Sequence, residues 1–442
     1  MRTGSARYRL CRVMTVTVLG LSLVGIAGTP ASAETIRQEQ WFLDAMQAEN
    51  MWKISTGEGV TVAVIDSGVD STNPDLVGRV LPGKDFSTGQ PGDAHTDYEG
   101  HGTGMAGLIA GTGAYNGGQG AFGLAPGAKI LPIRLPNSGA AANLAESDKV
   151  FNDALPSAIR YAADHDAKVI NISQASTETT PQVTAAVTYA LKKGSLVFAG
   201  VGNDAEKGNL VMYPAATPGV VGVAAVGKDL HRTAESEYGP QVDMAAPGEQ
   251  MVHACGTKSG MCESHGTSDA TALASASAAL IWSVHPTWTN NQVLRVMLNT
   301  IGGPTDGAKR NDAIGYGIVR PRIALQNPGD PGPADVYPLP DLAEAQQPAS
   351  PAPTPSAKES EPAKAAAATK GDDGTPWLGI GLGVGALVAA GVAATIVVRK
   401  RRTTAPQPTG SQPYPAPQQG FGPPPAMPAN VPPQPPRGPD GN

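Results

Sequence analysis

The chain has 442 residues, 40% hydrophobic and 16% charged, enough apolar matter to bury a sizeable core. Its formal net charge of -6 gives no basic footprint, and no Walker loop or dinucleotide fingerprint occurs in a convincing context. Nucleic acid is therefore not expected as a partner.

The first 33 residues carry Arg2, Arg7, Arg9 and Arg12, then an apolar run from Val13 to Ala27, then Ala31-Ser32-Ala33. That order predicts a signal peptide over 1–33, cleaved after Ala33, and an exported chain beginning at Glu34. An N-terminal extension, 34–59, leads into a domain predicted over 60–327. Its strands are predicted at Val60 to Ile65, Ile130 to Ile133, Val169 to Ile172, Leu196 to Ala199 and Val220 to Ala225. These runs are rich in β-branched residues and lack polar alternation, as strands buried on both faces do.

Helical patterns fall between them at His101 to Ala110, Leu155 to Asp164 and Pro181 to Lys193, the last opened by Thr180 as cap. Strands alternating with helices predict an α/β fold, a mainly parallel sheet between helical layers, with chemistry at the carboxyl ends of the strands. Cys255 and Cys262 are the pair left after the leader is removed, and an exported pair is expected to be oxidised to a disulfide.

Residues 328–376 turn to Pro, Ala and scattered charge and predict a stalk. Trp377 to Val398 is an uncharged stretch followed at once by Arg399-Lys400-Arg401-Arg402, which predicts one transmembrane helix over 377–398 with its C-terminal side inside. A Pro-rich cytosolic tail, 399–442, completes the chain. The expected location is a cell membrane crossed once, with the 60–327 domain outside the cytoplasm.

Four polar residues stand at predicted element ends beside glycines. Asp66 closes the most hydrophobic strand before Ser67-Gly68, His101 opens a helix in "YEGHGTGMAG", Asn203 follows a buried strand in "VFAGVGND", and Ser268 introduces the run "DATALASASAALIWS". Taken singly, these suit a turn aspartate, a structural histidine, a turn asparagine and a helix cap. Together they offer a nucleophile, a base, a carboxylate that fixes the base's tautomer, and an amide donor for an oxyanion, with Gly200 and Gly202 leaving room for substrate.

With "VAVIDSGVD", "GHGTGMAG", "VINIS", "AGVGND" and "GTS" in the order Asp, His, Asn, Ser, the sequence resembles the subtilisin-like serine proteases over roughly Val60 to Leu325. The resemblance implies a three-layer subtilisin-like fold, Asp66, His101 and Ser268 as a triad, Asn203 as oxyanion donor, and peptide-bond hydrolysis through an acyl-enzyme. It further implies a substrate strand at Ser173, Gln174 and Ala175. The order of leader, protease domain, stalk, span and tail looks like the mycosins, membrane-anchored subtilases of type VII secretion systems. Secreted polypeptides are then the expected substrates, and components of the secretion complex the expected partners.

Only some twenty-five residues separate Glu34 from Val60, too few for a large folded propeptide. No cofactor and no metal are expected: subtilases often carry calcium, but no oxygen-rich loop matches a recognisable spacing, and Asp93 and Asp97 read as solvated loop residues. Four positions depart from the family pattern. Asp269 stands for an apolar residue, Ala272 for a proline, Ala175 for a glycine, and Gly104 for a histidine. Asp269, if aimed into the cleft, is expected to raise the pKa of His101. Ala175 is expected to narrow the first specificity pocket. Two rivals stand beside the endopeptidase: a subtilase-fold scaffold of the secretion complex with dispensable catalysis, and an esterase using the same triad.

Overall fold

A computed structural model of the chain describes residues 35–256 and 260–345. Strands β1 (Thr61–Asp66), β2 (Lys84–Asp85), β3 (Lys129–Arg134), β4 (Val169–Ile172), β5 (Leu196–Gly200), β6 (Val221–Val226) and β7 (Met244–Pro247) form one sheet. Their order is β2-β3-β1-β4-β5-β6-β7, and every pairing is parallel. A separate antiparallel hairpin, β8 (Met251–Ala254) and β9 (Met261–Ser264), is closed by the Cys255–Cys262 disulfide.

The helices are α1 (Ile36–Glu39), α2 (Trp41–Met46), α3 (Ala48–Trp52), α4 (His101–Ala110), α5 (Tyr115–Gly118), α6 (Leu144–Asp164), α7 (Pro181–Lys193), α8 (Thr267–Val284), α9 (Asn290–Asn299), α10 (Pro321–Gln326) and α11 (Pro340–Ala345).

Side chains alternate across each strand, so the sheet divides the core in two. Val62, Val64, Phe198 and Val223 pack with α4, α8 and α9, while Ala63, Ile65, Ile172 and Val197 pack with α6 and α7. Three layers result. The five strands expected from sequence all form, with ends within a residue of those predicted. Unpredicted β7, "MAAP", has no β-branched residue, and as the last strand of the sheet it tolerates Pro247 without losing an interior ladder bond.

Helices α4 and α7 form as predicted, but α6 begins at Leu144, well before Leu155, and runs through Pro156. Its first half holds because Asn143 caps Glu146 N–H at 3.0 Å and because buried Asp148 accepts hydrogen bonds from the Thr177 N–H and hydroxyl. That pairing lies between residues far apart in sequence and leaves no apolar signal. Helix α8 is buried nearly throughout its alanines and serines and runs beneath β4 to β7. Small side chains are what allow a helix to sit so close to a sheet.

Both flanks of the domain are folded onto it. In the extension, buried Gln40 donates through Nε2 to the Phe122 and Val252 carbonyls and accepts from Phe122 N–H. Residues 328–345, expected as the start of the stalk, instead pack on the domain: Tyr337 Oη donates to the Gly219 carbonyl, Asp341 accepts from Gly219 N–H, and Leu339 is buried. Pro and Ala composition hides such contacts because backbone carbonyls, here taken by Arg295, do much of the bonding. No helix among the described residues is long and apolar enough to cross a membrane. The leader at 1–33, the span at 377–398 and the tail at 399–442 lie outside the described residues.

The disulfide closes a loop of seven residues' separation. Opening it, by reduction or by Cys262→Ser, is expected to lower stability by about 2.5 kcal/mol on the loop-entropy estimate. The check is a lower urea midpoint, with the slope the same or slightly steeper because the freed chain unfolds to a more open state.

Candidate active site

Strands β1 and β4 lie side by side, yet the crossovers leaving them run in opposite directions across the sheet. Such a reversal opens a crevice at the carboxyl ends of the strands. Asp66 ends β1 there, Ser173 follows β4 and Asn203 follows β5. Helices α4 and α8 pack together and carry His101 and Ser268 in their first turns.

Asp66 is fully buried, and its Oδ1 accepts from Ser67 N–H at 2.7 Å and from the His101 ring at Nδ1, 2.8 Å. This contact fixes the tautomer: a carboxylate can only accept, so Nδ1 carries the proton and Nε2 is free to act as a base. Nε2 makes no hydrogen bond among the described residues. Burial alone would lower the His101 pKa, but the Asp66 charge and hydrogen bond outweigh it, with Asp269 and Glu99 adding to them, and the result is pushed up to about 9.

What brings Asp66 to His101 is a residue that sequence reasoning misjudged. Asp97, expected to be a solvated loop residue, ties the end of β1 to the start of α4. Its Oδ1 accepts from the Ser67 hydroxyl at 2.8 Å and from Gly100 N–H at 2.7 Å, and its Oδ2 accepts from the Thr103 hydroxyl and N–H. Gly100, not Asp97, stands at the position where a cap is read from sequence, so Asp97 carried no such signal even though it accepts from Thr103 N–H in the first turn of α4. The glycines of α4 serve close approach. A Cβ at Gly102 would lie 2.1 Å from the Gly68 carbonyl oxygen, and one at Gly104 would lie 2.6 Å from the His253 ring.

Ser268 is half-buried, and its hydroxyl donates to the Ser173 carbonyl at 3.1 Å. The Ser173 hydroxyl returns a bond to the Ser268 carbonyl at 3.3 Å. The hydroxyl therefore rests on the substrate-strand candidate rather than on His101, and proton transfer to Nε2 requires it to leave that carbonyl. Catalytic hydrogen bonds commonly tighten only when substrate is bound.

Asn203 is exposed, and its Oδ1 accepts from Thr267 N–H at 2.8 Å. That bond orients the carboxamide and leaves Nδ2 without an acceptor among the described residues. Ser173, Gln174 and Ala175 are half-buried along the crevice.

Gly200 and Gly202, expected to leave room for substrate, are buried, and the space at each is filled from within the protein. A Cβ at Gly200 would lie 2.8 Å from the Thr267 hydroxyl, and one at Gly202 would lie 2.5 Å from Glu237 Oε2. Glu237 went unread in the sequence. It is fully buried behind the Asn203 loop, its N–H donating to the Gly202 carbonyl, and burial pushes its carboxyl up to about 7. Among the described residues no group of three or more His, Cys, Asp or Glu is placed to hold a metal ion.

The family model described as "Subtilase family" matches residues 57–317. Thermitase of Thermoactinomyces vulgaris is 37% identical over 244 residues, covering 54% of this chain and 80% of thermitase. A thermostable alkaline protease of Halalkalibacterium halodurans is 33% identical over 288 residues, 64% of this chain and 72% of its own length. Among solved structures, MycP1 from Mycobacterium smegmatis is similar with a TM-score of 0.59 at 27% identity, covering 70% of this chain and 89% of that one. The MycP3 protease from the type VII (ESX-3) secretion system is similar with a TM-score of 0.57 at 31% identity, covering 67% and 90%.

Proposed function

We propose, since the chain belongs to the subtilase family and is a subtilisin-like serine protease related to the MycP proteases of type VII secretion, that it cleaves exported polypeptides outside the cytoplasm as a membrane-anchored endopeptidase. The single observation that carries this reading is the buried Asp66 carboxylate bonded to His101 Nδ1, which leaves Nε2 basic at the start of a helix packed beside the one bearing Ser268.

In the proposed reaction Ser268 Oγ attacks the scissile carbonyl carbon while its proton passes to His101 Nε2. The carbonyl oxygen takes the negative charge and receives hydrogen bonds from Asn203 Nδ2 and from the Ser268 N–H, one of the first-turn donors a helix cannot satisfy itself. Collapse breaks the C–N bond, and the amine leaves with the proton from His101. Water, giving its proton to Nε2, then repeats the sequence on the acyl-enzyme and frees Ser268. The anchor is the predicted span at 377–398, joined to the domain through the chain beyond residue 345.

Because the base must be neutral and its pKa stands near 9, kcat/KM on a peptide substrate is expected to rise with pH. The slope is about tenfold per unit until it levels close to that value. A rise that levels near pH 6.5, the ordinary histidine value, contradicts this.

A second reading, the scaffold with dispensable catalysis, is favoured by the Ser268 hydroxyl resting on Ser173 and by Asp269 beside the nucleophile. A fluorophosphonate probe separates the two. Covalent modification of Ser268 in the full chain supports the peptidase, and failure under conditions that label a control subtilase supports the scaffold.

A further inference from the structure

Two departures from the family pattern, Gly104 and Asp269, meet in the structure. His253 of β8 is 4% exposed, and its ring occupies the space that Gly104 leaves open on α4. Its Nδ1 lies 2.8 Å from the Ala254 carbonyl oxygen and its Nε2 lies 2.8 Å from Ser264 Oγ on β9. Ser264 Oγ is in turn hydrogen-bonded to Asp269 Oδ1. Asp269 is 1% exposed, in the first turn of α8 next to Ser268, so its carboxyl is buried rather than open to the cleft, yet it still adds to the rise of the His101 pKa.

Three hydrogen bonds thus lie in line, from the Ala254 carbonyl to Asp269, and each needs a proton. A neutral His253 brings one, placed on Nδ1 because a carbonyl can only accept. The Ser264 hydroxyl brings a second, and an ionised Asp269 brings none. The line is complete only with a third, carried by His253 as imidazolium or by Asp269 as carboxylic acid. Burial favours the latter, because it disfavours charge at both ends. It pushes Asp269 up to about 6, against the Ser264 bond and the His101 and His265 charges, and pushes His253 down to about 4.

We propose that His253, Ser264 and Asp269 form a buried relay that stores one proton on Asp269 and, when it is released, sets a carboxylate charge against His101. Asp269 is then a positioning residue for the general base, a role that rests on the reading of His101 given above. On release the Asp269 O–H bond breaks, the electron pair stays on the carboxylate, and the proton passes to solvent. The Ser264 hydroxyl then donates to Asp269, and the bond to His253 Nε2 loses its proton.

The charged and titratable groups that bear on the relay are few. His101 at the start of α4 acts on both Asp269 and His253, and His265 after β9 acts on Asp269. His101 itself faces Asp66 and Glu99, and His265 faces Glu235 and Glu263. Since a carboxylate stabilises an imidazolium, ionised Asp269 raises the proton affinity of His101 and protonated Asp269 lowers it.

The test is the rate at which a fluorophosphonate modifies Ser268 in the full chain, followed across pH. In Asp269→Asn the neutral amide stands for the protonated acid. The midpoint of the rise is expected to move down by about one pH unit, the lower end for removing a neighbouring charge. Ser264→Ala removes the hydroxyl that steadies the carboxylate and is expected to move the midpoint in the same direction by less; it carries the test should the first variant not fold. Thermal melting establishes which variants are folded. Modification with an unchanged or raised midpoint in folded variants overturns the relay alone. A wild-type chain unmodified at every pH overturns the peptidase reading, and the relay's role with it.

Discussion

Ser268→Ala is expected to abolish hydrolysis, with kcat falling by about 10⁴-fold or more and fluorophosphonate modification disappearing. The hydroxyl is the only proposed electrophile-attacking group in the crevice, and neither Ser173 nor Thr267 can replace it. The Ser173 hydroxyl is committed between Asn171 and the Ser268 carbonyl, and Thr267 is buried against Gly200. Removing one methyl-sized polar atom from a half-buried helix start leaves α8 and its packing in place, so the melting temperature is expected to change little. A Ser268→Ala protein that retains hydrolysis of a casein substrate would place the nucleophile elsewhere and end the triad assignment. Secretion measured in a strain carrying the same substitution addresses the scaffold: normal secretion with lost hydrolysis shows assembly to be independent of the chemistry.

Asn203→Ala ranks second, at about 10²–10³-fold in kcat with KM little changed, a magnitude that itself comes from an oxyanion asparagine in a subtilisin. The physical reason for the expected split between kcat and KM is that, in the proposed role, Nδ2 meets an oxygen whose charge exists mainly in the transition state. The structure adds a structural share to the loss. Asn203 Oδ1 also accepts from Thr267 N–H at 2.8 Å, so alanine leaves a first-turn donor of α8 unsatisfied next to Ser268. Asn203→Asp separates the two effects, since it keeps the acceptor for Thr267 and removes the donor to the oxyanion. A loss of kcat in the aspartate variant as large as in alanine assigns the effect to the oxyanion. Near-normal kcat in the aspartate variant would assign it to helix positioning.

Much of the fold was legible because the chain writes it locally. Strands β4, β5 and β6 are buried at every position, which favours continuous apolar runs that no solvent-facing element shows, broken in β4 only by Asn171, whose amide is bonded to Ser173 and Ser275. Helix α7 announces itself with Thr180 as cap, Pro181 at the first turn and Gly194 at its end in the left-handed region. The Asp66–His101 contact was equally legible, since both residues sit at element ends beside glycines whose absence of side chain is a visible mark.

The amino-acid order alone therefore determined the layered α/β plan and the pairing of the two cysteines, and offered four candidates for catalysis, because hydrophobic period, caps and residue chemistry are properties of short stretches. Folding decided the rest. Asp97 became the tie between β1 and α4, Gly200 and Gly202 were closed off by Thr267 and Glu237, and residues 328–345 joined the domain. His253 came to fill the gap at Gly104 and reach Asp269 through Ser264. Although Asp97 reaches Thr103 and Ser264 reaches Asp269 over only a few residues, each of these arrangements is completed by a group tens or hundreds of residues away, such as Ser67 for Asp97 and His253 for Gly104. The free energy of a buried polar atom is set by its partner, and a partner that far along the chain has no signature in the local sequence.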